Sequence, residues 1–230
     1  MKRREGYEAG LVLVAFAALA VVMTWPVTAH LRSRLIGDTI DLWVAQWDNW
    51  WLLTALRERL DLWFTRYLFY PDGINLSYHS FGWANMLLWF PLQALLGQVA
   101  AYNVSMLLTF VLAGAGAYYL TLDITRSRPA AALAGMIYAF APYHVWESLG
   151  HPNLASIQWL PWGLLFFRRT LHNTDRKAPW LAGLFLGLSG LAGAHMLIFT
   201  FSMVALYLAA DFLFNHRCWN RQTWQRLAPV

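Results

Sequence analysis

A chain of 230 residues that is 59% hydrophobic and only 13% charged, with a mean hydropathy of +0.40, is not an ordinary soluble domain, since about a quarter of the residues of such a domain are charged. The net charge of +5 does not point to nucleic acid, because the basic residues stand in short clusters between apolar runs, as membrane orientation signals do. The single cysteine, Cys218, excludes an internal disulfide.

The fold class that follows is all-α, a polytopic transmembrane helical bundle forming one module over 1–230. Lys2, Arg3 and Arg4 precede an apolar run over 9–29, too long for the core of a typical signal peptide and followed by a poor cleavage site, so it is expected to be a first span. A long polar interruption follows, the external loop 31–100. It opens with Gly37-Asp38-Thr39-Ile40-Asp41, continues through a Trp-rich stretch and reaches Phe69-Tyr70-Pro71-Asp72-Gly73. Further spans are expected over 101–122, 130–146, 154–169, 179–193 and 196–214. The last two come from one apolar run too long for a single crossing, divided near Gly190, Gly193 and His195. The run 84–96 is short and holds Pro91. If it does not cross, the clusters Arg126/Arg128, Arg168/Arg169/Arg176/Lys177 and Arg217/Arg221/Arg226 all fall on the side of Lys2, Arg3 and Arg4. An interfacial or re-entrant helix is therefore expected there, giving six spans with both ends cytoplasmic. Ala113-Gly114-Ala115-Gly116-Ala117 suits close helix packing in lipid.

This topology gathers Asp38, Asp41, Asp48, Asp61, Asp72, Glu147, His79, His144, His151 and His195 on the external face. Asp38 and Asp41 have two readings: they cap and favour the start of a helix, or one acts as a general base or helps hold a divalent metal. Trp43, Trp47, Trp50 and Trp51 suit a helix lying in the membrane interface, with a platform for a sugar or lipid chain as the second reading. Phe69–Gly73 is a turn that also places Tyr70 and Asp72 beside the membrane, with His79 shortly after. Gly150-His151-Pro152-Asn153 is an external turn. His144, Glu147 and His151 fall close enough in sequence for a metal site, His and carboxylate suiting Zn or Mn. No zinc-protease helix, P-loop, dinucleotide fingerprint or serine-nucleophile motif is present. A transporter is disfavoured because the polar residues leave no path through the spans.

The order of features is more specific than any one of them. Gly-Asp-x-x-Asp after a first span, a Trp-rich helix, Tyr-Pro-Asp-Gly, Asn85 with Pro91, Ala101-Tyr102-Asn103, Tyr138-Ala139-Phe140-Ala141-Pro142-Tyr143 and Gly150-His151-Pro152-Asn153-Leu154 follow one another along residues 9–215. In this the chain resembles the GT-C superfamily of bacterial integral-membrane glycosyltransferases, in particular the group related to the protein mannosyltransferases and the aminoarabinose transferases. The resemblance implies a plasma-membrane enzyme that moves a sugar from a polyprenyl-phosphate carrier to an acceptor on the external face. A first-loop carboxylate, Asp38 and then Asp41, would be the general base. The leaving phosphate would need a cation, for which Arg32, Arg34, Arg66 and the histidines are candidates. Trp47, Tyr70, Asp72, His79, His151 and Asn153 are the other expected substrate contacts. A divalent metal, Mg or Mn, would be held by Asp38, Glu147 or His151. Members of the superfamily carry more helices than six spans, so the resemblance implies an N-terminal portion, a split gene product or a truncated relative, for which a partner chain would complete the fold. The competing expectation is a non-catalytic membrane scaffold or lipid-binding subunit, which would use the loop only as an interfacial anchor.

Overall fold

The computed structural model describes residues 2–37, 40–172 and 176–214, and it is mostly helical. The chain runs α1 (Lys2–Met23), a 3-10 turn (Val27–His30), α2 (Ile40–Glu58), β1 (Phe64–Thr65), β2 (Ile74–Asn75), α3 (Trp83–Leu96), α4 (Gln98–Thr125), α5 (Arg128–Ala139), α6 (Pro142–Glu147), α7 (Trp159–Leu171), α8 (Ala178–Ala192) and α9 (Ala194–Phe214). The two short strands pair antiparallel, Phe64 with Asn75 and Thr65 with Ile74. The backbone N–H of Gly73 closes the turn between them on the carbonyl of Phe69 at 2.9 Å.

Local chemistry sets several of the boundaries. Arg126 ends α4 in the left-handed region at φ +59°, and the Ser127 hydroxyl then caps α5 by accepting from the backbone of Ala130. Pro142 lies in the first turn of α6, where its missing N–H has no helical partner to lose. The expected single span over 130–146 is therefore two helices, α5 and α6, meeting at Phe140-Ala141-Pro142. The expected span from 154 begins as helix only at Trp159. Pro91 sits inside α3 without ending it.

The central element is α4, which packs against α1, α3, α5 and α7, while α7 and α8 pair and α9 lies against α8. Two helices, Gln98–Thr125 and Ala194–Phe214, are long and apolar enough to cross a membrane. The first is mostly buried inside the protein, whereas only 11% of the apolar window of the second is buried. A ring–glycine joint fixes α1: the Phe16 side chain, nearly fully buried, lies against Gly114 of α4 and Gly135 of α5.

The polar side chains of the bundle gather at two levels of α4. At one level Asn103 bonds to the segment 31–36. At the other, Asp123 pairs with Arg168 and Arg169 of α7, and Tyr118 donates to Glu8, which also pairs with Arg128. The two levels, about twenty residues apart on one helix, are separated by ~30 Å, the thickness of a bilayer's hydrocarbon. Arginine–carboxylate pairs mark the second level. Carboxylate–histidine pairs mark the first, where the loop elements α2, β1–β2 and α3 sit.

Candidate functional site

The site begins with the segment that leads into α2. Asn103, fully buried on α4, accepts the backbone N–H of Ile36 at 3.0 Å and donates to the carbonyls of Leu31 at 2.8 Å and Arg34 at 2.7 Å. The next residue, Gly37, has φ +93° and passes so close under Leu149 that a Cβ would run into its carbonyl oxygen. Only glycine meets both demands. Asp38, to which the resemblance gives the base role, lies with Thr39 outside the described residues. On the far side of α2, the Gln98 amide donates to the Gln46 side chain at 3.0 Å, and Asn49 donates to Gln93.

So held, α2 turns positions 41, 44, 45 and 48 toward one cavity of about 210 Å³. That spacing is one face of a helix over two turns. The other walls come from His79 to Gly82, from Asn85, Met86 and Trp89 of α3, and from Pro152 and Asn153. Asn85 ties two of these walls together. Its amide donates to the Pro152 carbonyl at 2.9 Å, and its oxygen lies 2.6 Å from the hydroxyl of Ser156, which is also 2.7 Å from that carbonyl.

Asp48 is the buried carboxylate of the cavity, at 3% exposure, and its Oδ1 lies 2.6 Å from Nε2 of His79. Burial pushes Asp48 above the ordinary carboxylate range, opposed by its bond to His79. His79 is raised above an ordinary imidazole, first by its hydrogen bond to Asp48, with its own partial burial acting the other way. The consequence for stability has a definite sign. An unfolded imidazole titrates near pH ~6.5. The contribution of His79 is complete below that value and is lost as pH rises through its higher folded-state value; Asp48, also raised, acts in the same direction but in a more acidic window that starts at the unfolded carboxylate value of ~3.9. The midpoint of thermal unfolding in detergent is expected to fall as pH is raised through the His79 window. His79→Gln should flatten that dependence, and an equal slope in both proteins would refute the coupling.

Asp41, with 61% of its side chain exposed, stands at the cavity's open side, 3.5 Å from Nε2 of His151. Nδ1 of the same ring is 2.9 Å from Glu147 but out of line for a hydrogen bond, so both of those atoms are buried without one. The imidazole thus separates two carboxylates instead of converging with them. Among the described residues no three His, Cys, Asp or Glu side chains are arranged to hold a metal ion, and Asp38, the third ligand expected with Glu147 and His151, lies outside the described residues.

Of the other expected site residues, Asn153 lines the acidic cavity and Trp47 stands edge-on to His79 at 6.3 Å. Arg66 and Tyr70 belong to a separate, larger cavity of about 650 Å³ with Trp51, Glu58, Asp61 and Tyr67. Arg32, Arg34 and Asp72 are exposed and line neither. His195 is exposed in the first turn of α9. His144 is not an external group. It is buried, with Nδ1 at 2.7 Å from the Ala139 carbonyl, Nε2 at 3.1 Å from the Thr109 hydroxyl and its ring stacked on Phe110. Both its nitrogens are occupied in the core, which removes it from any ligand set.

The Trp face of α2 is also corrected. Trp43 is 63% exposed, but Trp51 is 1% exposed, stacks on Trp47 and donates to the Leu62 carbonyl at 3.2 Å. Trp51 therefore packs inward over the hairpin, while Trp43 and Trp50 stay exposed. The cavity's two structural surprises are Asp48 and Asn85, which sequence reasoning did not place in the site. The spacing of Asp48 from Asp41, two helical turns, was the available signal. Comparison of the chain with protein-family models, with curated proteins and with solved structures finds no match.

Proposed function

We propose that the chain is a membrane glycosyltransferase of GT-C type, moving a sugar from a polyprenyl-phosphate carrier to a hydroxyl acceptor on the external face of a bacterial plasma membrane. The observation that supports this reading best is the acidic cavity. It is built on the first-loop helix α2, with Asp41 and Asp48 facing it, and is completed by the Asn153 turn and by α3 at one end of an apolar bundle. Glycosyl transfer requires a group that takes the proton of the acceptor hydroxyl as that oxygen attacks the anomeric carbon. The resemblance gives this task to the carboxylate at 38 or 41, and Asp41 stands at the mouth of the cavity. In this reading the chain crosses the membrane six times with both termini cytoplasmic. The arginine level of α4 then faces the cytoplasm and the cavity faces outward.

Transfer of radiolabelled hexose from a polyprenyl-phosphate donor, in membranes containing the full chain, tests the reading. Removing both carboxylates of the cavity, Asp41→Asn with Asp48→Asn, is expected to lower transfer at least ~100-fold with the protein still inserted and folded. An inserted wild-type chain that transfers nothing to any acceptor would favour the scaffold reading.

A further inference from the structure

We infer that His79 takes the proton of the acceptor hydroxyl, with Asp48 as its positioning residue, and that the cavity between them and Asp41 receives a neutral polyol about one sugar ring in size. This rests on the glycosyltransferase reading and deepens it by moving the base from the exposed first-loop carboxylates to an imidazole.

The geometry is that of an oriented base. Asp48, when ionised, can only accept, so Nε2 of His79 at 2.6 Å carries the hydrogen and Nδ1 keeps its lone pair. Nδ1 has no hydrogen-bond partner among the described residues, and the ring forms part of the cavity wall. Two aromatic rings stand edge-on to the imidazole, Trp47 at 6.3 Å and Phe81 at 4.9 Å, and fix its plane. The pairing makes His79 a stronger base than a free imidazole. Asp41, by contrast, is open to water, which competes for it.

The cavity also selects its ligand. Its volume of about 210 Å³ lies below the ~300–1,000 Å³ of sites for drug-sized molecules. Phe81, Met86 and Trp89 give it an apolar side. Asp41, Ser80 and Asn153 give it a hydrogen-bonding side, and among the described residues no lysine or arginine lines it. Such walls suit the apolar face and the hydroxyls of a pyranose and disfavour an anion. Among the described residues the charged and titratable groups around His79 are Asp48 and Asp41 from α2 and, beyond Asp41, His151 with Glu147; the α3 wall brings Asn85, Met86 and Trp89, none titratable.

In the transfer step the hydroxyl proton passes to Nδ1 as the oxygen's electron pair forms the new bond to the anomeric carbon. The bond from that carbon to the carrier's phosphate oxygen breaks, its electron pair leaving on the phosphate. The imidazolium formed is held by Asp48 and returns its proton to water.

The test uses membranes containing the full chain, a polyprenyl-phosphate-linked [14C]hexose as donor and soluble methyl glycosides as acceptors. His79→Ala should lower transfer by ~100-fold or more, and free imidazole should restore part of it. Asp48→Asn should lower kcat more than it changes KM and move the acid limb of the pH profile to lower pH, because the group that raises His79 is gone. Asp41→Asn should leave that limb in place. If His79→Ala fails to insert, the limb in Asp48→Asn carries the same information. Wild-type transfer that survives His79→Ala nearly intact overturns the inference and leaves the glycosyltransferase reading standing. Loss without imidazole rescue, together with an unmoved limb in Asp48→Asn, also overturns it, since His79 would then be only structural. A wild-type chain that transfers nothing overturns both.

Discussion

Asn103→Leu is expected to be among the most destabilising single substitutions in the chain and to abolish function although Asn103 does not line the cavity. Leucine is apolar and not much larger, so packing on α4 is largely kept. What is lost is the full set of bonds to the backbone N–H of Ile36 and the carbonyls of Leu31 and Arg34. A buried polar group stripped of its partner costs about 1–3 kcal/mol. With Ile36 buried and Arg34 nearer the surface, the sum is about 3–5 kcal/mol. The segment that carries Gly37 under Leu149 would then be free to leave, and α2 with it. Thermal unfolding in detergent should show the loss, and limited proteolysis should cut near residue 34 before the bundle opens. A variant as stable as wild type, with unchanged cleavage, would mean that the segment is held by something else.

The second large effect is expected at the joint between α1, α4 and α5. A Cβ on Gly135 would lie 2.7 Å from the Gly114 carbonyl and against the tip of the Phe16 ring, and one on Gly114 would enter the same ring. A backbone carbonyl cannot step aside as a side chain can. Gly135→Leu should therefore reach or exceed the upper end of the ~1–3 kcal/mol typical of overpacking. Phe16→Ala, which empties the slot, should cost about 3–5 kcal/mol. The two together should be less harmful than their sum, because the ring that the introduced leucine side chain would meet is gone; a coupling of about 1–2 kcal/mol is expected. Strict additivity in unfolding midpoints would place the strain elsewhere.

The sequence carried the broad plan of this molecule better than its site. The helix boundaries at Arg126-Ser127 and at Gly193 have plain local causes, a left-handed residue followed by a serine cap and a glycine between two apolar runs. The small-residue run around Gly114 correctly signalled close packing, but not that its partner is an aromatic ring from α1. The break at Pro142 was written in the chain, yet apolar residues on both sides hid it. His144 could not be assigned from sequence, because only tertiary contact decides whether a histidine's nitrogens meet water or the buried Thr109 and Ala139. The same holds for Trp51, whose indole is amphipathic enough for an interface and flat enough for a core. Asp41 and Asp48 were visible as acids two turns apart. That His79 would close on the second of them depended on the hairpin fold-back between Phe64 and Asn75, which short strands with no long alternation do not announce.

The stitch made by Asn85 has a consequence for the order in which the molecule comes into being. Its partners, Pro152 and Ser156, lie 67 and 71 positions further along the chain, and the wall formed by Asn153 goes with them. A growing chain emerges from its N-terminus at about 5–20 residues per second. The acid helix and His79 are thus made seconds before the residues that roof them. During that interval a buried carboxylate, Asp48, has no finished shelter. Its imidazole partner, His79, is already at hand. The pairing is therefore available from the start as the device that keeps this half-built pocket together until the last wall arrives.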